Sequence, residues 1–577
     1  MKRIIFLILL IISVGRISGQ VIALVGGHII HPETRKITYE SLILITGDRI
    51  THIGNKYTSR IPPNARIINV SGKWLIPGLI EAHAHFFQSG GLYTRPDIIT
   101  WDSLRESLSY YKTYAQDRQW LKENRENIWR RYLANGVTTV VDMGGPITQL
   151  SMRSQALQTP TAPTLLMAGP LISTYQPQGF PGPDLPIIKA HSESQARQLV
   201  LEQLPYKPDL IKIWYIASKG ESAESNFPIV KAAITEAHRH NLPVAVHATE
   251  LQTAKLAVEA GADILVHSIE DSLIPEDFLQ TLQKKKIGYI PTLIVGKRYR
   301  EVFSRRFRFT KEEILWGDPE IVASLLEIKK LEPNLLPEKL KKRLPLRDTI
   351  AENPIALANL KAVKEKNIRI ALGTDAGNIG TLHGASYTHE AMAMRKAGLA
   401  PWEILKAATY DAARIFKKEN EIGSIQKGKR ADIVILNQNP LDSIGNLSDI
   451  FMAIKYGIPF FRDSLLRFSN TDIVNIQLNA YNANHIEAFM HTYSPDIKIY
   501  IFPDNLRFSS FQSMKLHYQK FFEENPNLYC AIQKRIEQNQ YIIDQEKVTG
   551  LSNSQILRAS AIYQVENGKI QKVWFVR

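Results

Sequence analysis

His83 and His85 stand on either side of Ala84, at the end of an apolar run that begins at Trp74. On a strand, alternate side chains leave the same face, so these two imidazoles lie side by side. Two neutral imidazoles that close together can hold one divalent ion, each through one ring nitrogen. The pair alone would serve equally as two surface histidines. Its place after a buried strand favours metal, because parallel α/β barrels carry their chemistry at the C-terminal ends of strands.

Four further residues occupy comparable positions. Lys212 lies inside the apolar stretch 209–214, where an unpaired ammonium is costly to bury. It is either an inward lysine paired to a carboxylate, or a lysine whose nitrogen has captured CO₂ as a carbamate. His247 ends Val244-Ala245-Val246, and His267 ends Ile264-Leu265-Val266. Each alone reads as an ordinary strand histidine. Asp375 follows Gly373-Thr374, and alone reads as a helix cap or a turn residue.

The elements that must position these groups alternate apolar strands with helical stretches. Strands are predicted in the run ending at His83 and at 136–141, 164–168, 210–215, 244–247, 264–267, 288–293 and 368–373. Helical stretches include 120–135, 192–203, 227–240, 251–260 and 354–366. That is eight βα units, the number that closes a (β/α)8 TIM barrel. The six residues then fall on the first, fourth, fifth, sixth and eighth strands. Short β segments over 20–73 and 417–464 flank the barrel and pair into one small composite β-sandwich domain. A helical, basic insertion over 295–353 precedes the last strand and reads as a rim or lid element, or as an inert surface elaboration.

Here the pattern becomes specific. Pro77-Gly78-Leu79-Ile80-Glu81-Ala82-His83-Ala84-His85, Gly136-Val137-Thr138-Thr139-Val140-Val141-Asp142, Gly373-Thr374-Asp375-Ala376 and Gly423-Ser424-Ile425-Gln426-Lys427-Gly428-Lys429-Arg430-Ala431-Asp432 resemble the amidohydrolase superfamily, in its imidazolonepropionase-like and prolidase-like secreted branch. The resemblance runs from Val21 to about Asp463, with Glu81 where Asp is commoner. It implies a binuclear site, usually zinc. His83, His85 and Asp375 would hold one ion, His247 and His267 the other, and carboxylated Lys212 would bridge. It also implies hydrolysis of an amide-type carbon–nitrogen bond by a metal-bridging hydroxide, with Asp375 as the proton shuttle. The substrate would be a small molecule such as a dipeptide, an N-acyl amino acid or a cyclic amide. Tyr93, Tyr215 and His383, each following a barrel strand, are candidates for contact with it, with a structural role the alternative for each.

At 577 residues the chain exceeds one core. Its 44% hydrophobic and 22% charged content is that of an ordinary globular protein. The net charge of +15 is concentrated between Lys284 and Arg347 and comes with no nucleic-acid motif, so no nucleic-acid partner is expected. Residues 1–19 have a Lys2-Arg3 head, an apolar run from Ile4 to Ile12 and a Ser18-Gly19 exit. That is the layout of a signal peptide, too short for a good membrane span. Export to a periplasm or the exterior follows as the expectation, with an uncleaved anchor the alternative. Cys530 is the single cysteine, so no intrachain disulfide forms.

Residues 470–577 read as a separate α+β unit of three helices and several strands closed by an Asn567-Gly568 turn. Its segments, among them Ala480-Tyr481-Asn482-Ala483 and Tyr563-Gln564-Val565-Glu566-Asn567-Gly568, resemble the cone-shaped nuclear-transport-factor-2-like fold. Asp544 and Glu546 alternate on one strand and are expected to face solvent, with a cone-shaped pocket the alternative. That resemblance implies a small-molecule-binding or oligomerisation module, and hence a homo-oligomer. The competing class for the whole chain is a catalytically idle barrel kept as a ligand-binding or scaffold protein. Six site residues together argue against it.

Overall fold

The computed structural model describes residues 20–98, 108–217, 222–330 and 351–576. The expected signal peptide lies outside the described residues. No described helix is long and apolar enough to cross a membrane.

The fold is mixed α/β. Leu79–Ala84, Val137–Asp142 and Thr164–Met167 pair in parallel. Ile211–Trp214, Val244–His247, Ile264–Val266 and Gly288–Ile290 form a second parallel run. Asp209 N donates to Met167 O at 2.9 Å, and this joins the two runs. On the other side Ile370 bridges Tyr289, Ala82 N donates to Leu372 O at 2.9 Å, and Ala376 bridges Ala84. Eight segments therefore form a closed ring. Its inside is packed by Ile80, Ala82, Val141, Leu166, Ala245, Ile264, Val266, Ile290 and Ala371, and its outside by the helices.

Local sequence explains the helices. In Ala223–Arg239, Ser222 caps the start by accepting from Ser225 N, and Val230, Ala233, Ile234 and Ala237 form the buried face. Leu251–Ala260 ends where Gly261 takes φ 109°, a left-handed conformation suited to glycine.

The apolar run from Trp74 is two strands, not one. Trp74–Pro77 belongs to a separate eight-stranded sheet, where it pairs antiparallel with Ile433–Leu436 and parallel with Val21–His31. Leu79–Ala84 belongs to the ring. The break falls at Gly78, where a Cβ would come within 2.2 Å of the Thr138 hydroxyl. The flanking sheet thus draws on both ends of the ring-forming chain.

At the C-terminus, six strands are ordered Asn505–Phe508, Tyr493–Ile501, Lys569–Val576, Leu557–Glu566, Tyr541–Thr549, Tyr529–Gln538. Helices Asn470–Asn482, Ile486–His491 and Phe511–Glu524 contribute Val474, Phe489, Met514 and Phe522 to the same apolar core as this sheet. Asp544 and Glu546 do not face solvent. They alternate toward the core with Ile542 and Val548, at 1% and 8% exposure. Burial is tolerated because Arg535 grips both Asp544 oxygens at 2.6 Å and Tyr563 OH donates to Glu546 Oε1 at 2.7 Å.

Candidate metal centre

All six residues proposed from sequence meet at one end of the ring, and four of them reach it by departing from regular strand geometry. Ile80 and Ala82 face inward, so strict alternation would turn both His83 and His85 outward. One extra residue intervenes between Glu81 and Ala84 relative to the neighbouring strand, and this bulge reverses the phase. His267 follows inward-facing Val266, and its φ of 75° turns it back to the same side. Asp375, with φ 60°, is held by its own N–H donating to His83 O at 2.8 Å. Such left-handed conformations in non-glycine residues cost energy and concentrate at functional sites. Lys212 and Trp214 share the inner face of their strand, in register with Ala245 and His247.

His83 Nε2 and His85 Nε2 are 3.2 Å apart, and each lies close to Asp375 Oδ1, at 3.3 and 3.4 Å. For an ion bound tetrahedrally at about 2.0–2.1 Å, ligand atoms are separated by about 3.3–3.4 Å. The triangle therefore has the dimensions of one tetrahedral face. Its electrostatics point the same way. His85 Nδ1 is 2.8 Å from Gly144 O, a group that can only accept, so the proton is on Nδ1 and the Nε2 lone pair faces the triangle. Burial holds His85 down to about 3 and His83 well below the ordinary value, with Lys212 adding to both. Neutral imidazole nitrogens and a carboxylate oxygen converge where Asp375 Oδ1 finds no hydrogen-bond donor among the described residues. A cation among them satisfies all three.

Beside this triangle, the His83 and His267 ring centroids are 5.0 Å apart and those of His247 and His267 are 4.3 Å apart. His267 Nδ1 meets the Thr292 hydroxyl at 2.7 Å, which leaves its Nε2 for the site. Lys212 is 1% exposed and its Nζ is without a hydrogen-bond partner among the described residues. Burial lowers it to about 7, opposed by Asp375. Burial also raises Asp375, to about 6, against Lys212 and Arg95. A buried primary amine that is easily deprotonated fits carboxylation, since the neutral amine is the form that attacks CO₂.

The three expected substrate contacts fall elsewhere, and none lines the cavity above the site. Tyr93 OH donates to Glu327 at 3.1 Å. Tyr215 is buried and its hydroxyl donates to Ala223 O. His383 stacks on Phe86, sits 2.8 Å from Gln88 O through Nε2, and meets Tyr132 OH at 2.8 Å through Nδ1. Each is spent on framework bonds.

The cavity itself, about 680 Å³, is of a size for a small molecule. Phe87, Ile98, Leu171, Trp214 and Phe303 supply apolar walls. One polar wall went unread from sequence: Arg95 grips both Asp97 oxygens at 2.7 and 2.6 Å and donates to Asn378 Oδ1 at 3.1 Å. Arg95-Pro96-Asp97 lies only ten residues beyond His85, and a charge pair so near a metal motif was the available signal. The same strand-end rule that found His267 would have found Thr292.

A model of the amidohydrolase family matches residues 74–459, well over half of the chain. The chain belongs to the amidohydrolase family. Among curated relatives, this amidohydrolase is 22% identical over 431 residues to a 5-methylthioadenosine/S-adenosylhomocysteine deaminase of Caldanaerobacter subterraneus, covering 72% of this chain and 84% of that protein. It is 37% identical over 92 residues to an imidazolonepropionase of Thermoanaerobacter pseudethanolicus, a match that spans 15% of this chain and only 21% of that relative's length. The fold is shared with a Xaa-Pro dipeptidase solved with bound methionine, at TM-score 0.58 and 20% identity over 77% of this chain and all of that one. At the level of reaction class, the amidohydrolase is a hydrolase acting on carbon–nitrogen bonds.

Proposed function

We propose that this amidohydrolase hydrolyses an amide-type bond in a small molecule, such as a dipeptide, an N-acyl amino acid or a cyclic amide, using two divalent ions, zinc by the chemistry of the donor set. The triangle of His83, His85 and Asp375 carries the proposal. Those three would hold one ion, His247 and His267 the other, and carboxylated Lys212 would lie between. When bound, such ions lower the pKa of water toward neutrality and polarise a carbonyl.

The chain's own groups do the rest. Asp375 takes a proton from the attacking water and passes it to the leaving nitrogen, which a carboxylate touching the site can do with the oxygen not aimed at the imidazoles. Gly144 O and Thr292 Oγ1 fix the rings of His85 and His267, so these ligands are set before substrate arrives. The apolar walls exclude water, and the Arg95–Asn378 wall orients a polar group of the substrate.

The closed ring of seven parallel strands and the bridged segment at 370–376 supports a (β/α)8 barrel for residues 74–416, and the six-stranded sheet with its three helices supports a nuclear-transport-factor-2-like unit at 470–577. The outer face of that sheet supports self-association. Tyr500, Trp574, Ile562, Ile543 and Ile536 are register partners across five strands, so one apolar row crosses the sheet. Ile536 is 49% exposed. Such a contiguous apolar surface is what an isologous dimer would cover. The charged head, apolar run and small-residue exit of residues 1–19 support export to a periplasm or the exterior.

The decisive experiment is a library of dipeptides, N-acyl amino acids and cyclic amides incubated with the zinc-loaded protein, with His83→Ala alongside. Cleavage of one class by the native chain alone is the expected result. Equal cleavage by both proteins would sink the metal reading.

A further inference from the structure

We propose that the C-terminal unit is a brace for the substrate wall of the catalytic cavity, with Glu327 and Lys329 as the positioning residues that transmit it. The proposal goes beyond the hydrolase reading, and its exchange arm does not depend on it.

Two wall segments are separated in sequence: the loop 92–98, which supplies Arg95, Asp97 and Ile98, and the helix Leu293–Phe303, which supplies Val295, Gly296, Tyr299, Arg300 and Phe303. Neither is anchored by the ring alone. Leu92, Tyr93, Val302 and Phe303 belong to one continuous apolar core with Ile473, Ile476, Phe489 and Met514 of the C-terminal helices, and Ile98 and Tyr299 pack against it. Ile379 and Leu382, just beyond Asp375, join the same core. The helices Lys311–Trp316 and Pro319–Leu326 lie between, contributing Ile314, Ile321, Val322 and Leu325. Over residues 295–330 the insertion is therefore neither inert nor a free lid. It is the layer through which the C-terminal unit touches the cavity wall.

The polar contacts are concentrated at the end of that layer. Glu327 is fully buried and collects donors from both flanks of the wall loop: Tyr93 OH at 3.1 Å, Tyr110 N at 3.0 Å and Ser109 N. Lys330 bonds both Glu327 and Ser109, at 3.0 and 2.9 Å, and lies over the Tyr529 ring of the C-terminal sheet. Lys329 Nζ donates to Asn482 O, and Asn479 Nδ2 donates to Pro319 O at 2.8 Å. Three consecutive turns of chain thus bind the wall loop on one side and the C-terminal unit on the other. A buried carboxylate with four donors and a half-buried ammonium facing carbonyls leave little slack, because an unpaired member would be left largely desolvated. The wall's position is set by the C-terminal unit as well as by the ring.

The test uses the full chain and cuts only the ties on the far side: Lys329→Met and Asn479→Leu, separately, with Lys329→Arg as the conservative control. Amide hydrogen exchange is read at Tyr93, Ser109 and Tyr110, and, with a cleaved substrate in hand, KM and kcat are read beside zinc content. Losing one charge-assisted bond corresponds to about a tenfold or greater change. Lys329→Met is therefore expected to speed exchange at Ser109 and Tyr110 by about tenfold and to raise KM by a similar factor, with kcat and zinc content nearly unchanged. Lys329→Arg should restore both. Faster exchange confined to residues near Asn482 and Leu528, with the wall amides and KM unmoved, would overturn the proposal and leave the unit merely appended. If Lys329→Met does not fold, Asn479→Leu decides by the same two readings. A chain that hydrolyses nothing would refute the hydrolase reading while the exchange result still decided this one.

Discussion

Glu81 and Thr374 lock the first and last segments of the ring together. Glu81 Oε1 accepts from Thr374 N at 2.8 Å and Oε2 from Thr374 Oγ1 at 2.7 Å, while Oε1 also accepts from His83 N at 3.0 Å. One carboxylate therefore sets the spacing between the histidine pair and Asp375, the residues whose atoms form the candidate metal triangle.

Glu81→Ala removes the acceptor for two buried backbone amides, at about 1–3 kcal/mol for each group left unpaired. Loss of a group orienting metal ligands costs about ten- to a hundredfold in metal affinity. The expected outcome is a lower unfolding midpoint and weaker zinc retention in equilibrium dialysis. Glu81→Gln, which keeps one carbonyl oxygen for the amides, should fall between. Native zinc retention in Glu81→Ala would show that the ring holds the triangle without this clamp.

Buried Glu546 makes the C-terminal unit pH-sensitive. Burial raises its carboxyl from 4.5 to about 7, with Tyr563 hydrogen-bonded to it, Asp544 and Arg535 beside it, and the Tyr481, Tyr493 and Tyr518 phenols near. Between those values the folded chain keeps a proton that the unfolded chain has lost, so stability falls as pH rises through this window and the loss is complete above about 7. Glu546→Gln stays neutral and still accepts from Tyr563 OH. It should stabilise the protein by about 3 kcal/mol near pH 8 and by little near pH 4.5. Thermal unfolding at the two pH values measures this, and an equal shift at both would contradict the linkage.

How much of this could be read beforehand depends on the range of the determining interaction. The strands were legible because burial on both sides makes them apolar runs, and the six site residues because each lies within such a run or just after it. The phase of His83 and the turn at His267 were not, since a bulge and a left-handed φ are set by neighbours across the ring. Tyr93, Tyr215 and His383 misled for the same reason: position after a strand places a side chain near the site, but Glu327, Ala223 and Gln88, none of them a neighbour in sequence, decide where its polar atom goes. Asp544 and Glu546 looked solvated because their partners Arg535 and Tyr563 are on adjacent strands.

The apolar row on the outer face of the C-terminal sheet should be a dimer contact. Tyr500 and Trp574 stack at 5.7 Å between ring centroids and form its widest part. Trp574→Glu places a charge that association would have to desolvate, at a cost of several kcal/mol. Sedimentation should show a dimer for the native chain and a monomer for the variant, with hydrolysis per chain unchanged. A native monomer at micromolar concentration would remove the assembly role.

Asp375 carries the sharpest expectation for catalysis. Its Oδ1 faces His83 and His85, and its backbone is fixed by His83 O and by Asn378 Nδ2 donating to Asp375 O at 3.3 Å. Asp375→Asn keeps shape and a carbonyl oxygen for the triangle but cannot accept a proton. Loss of a general base costs about 10²–10⁴ in rate, so turnover should fall by at least about a hundredfold, and His83, His85 and the His247–His267 pair should retain much of the metal. Zinc content measured on the same preparation separates the two functions. Turnover surviving with metal intact would take the proton transfer away from Asp375, and joint loss of metal and turnover would make it a ligand first.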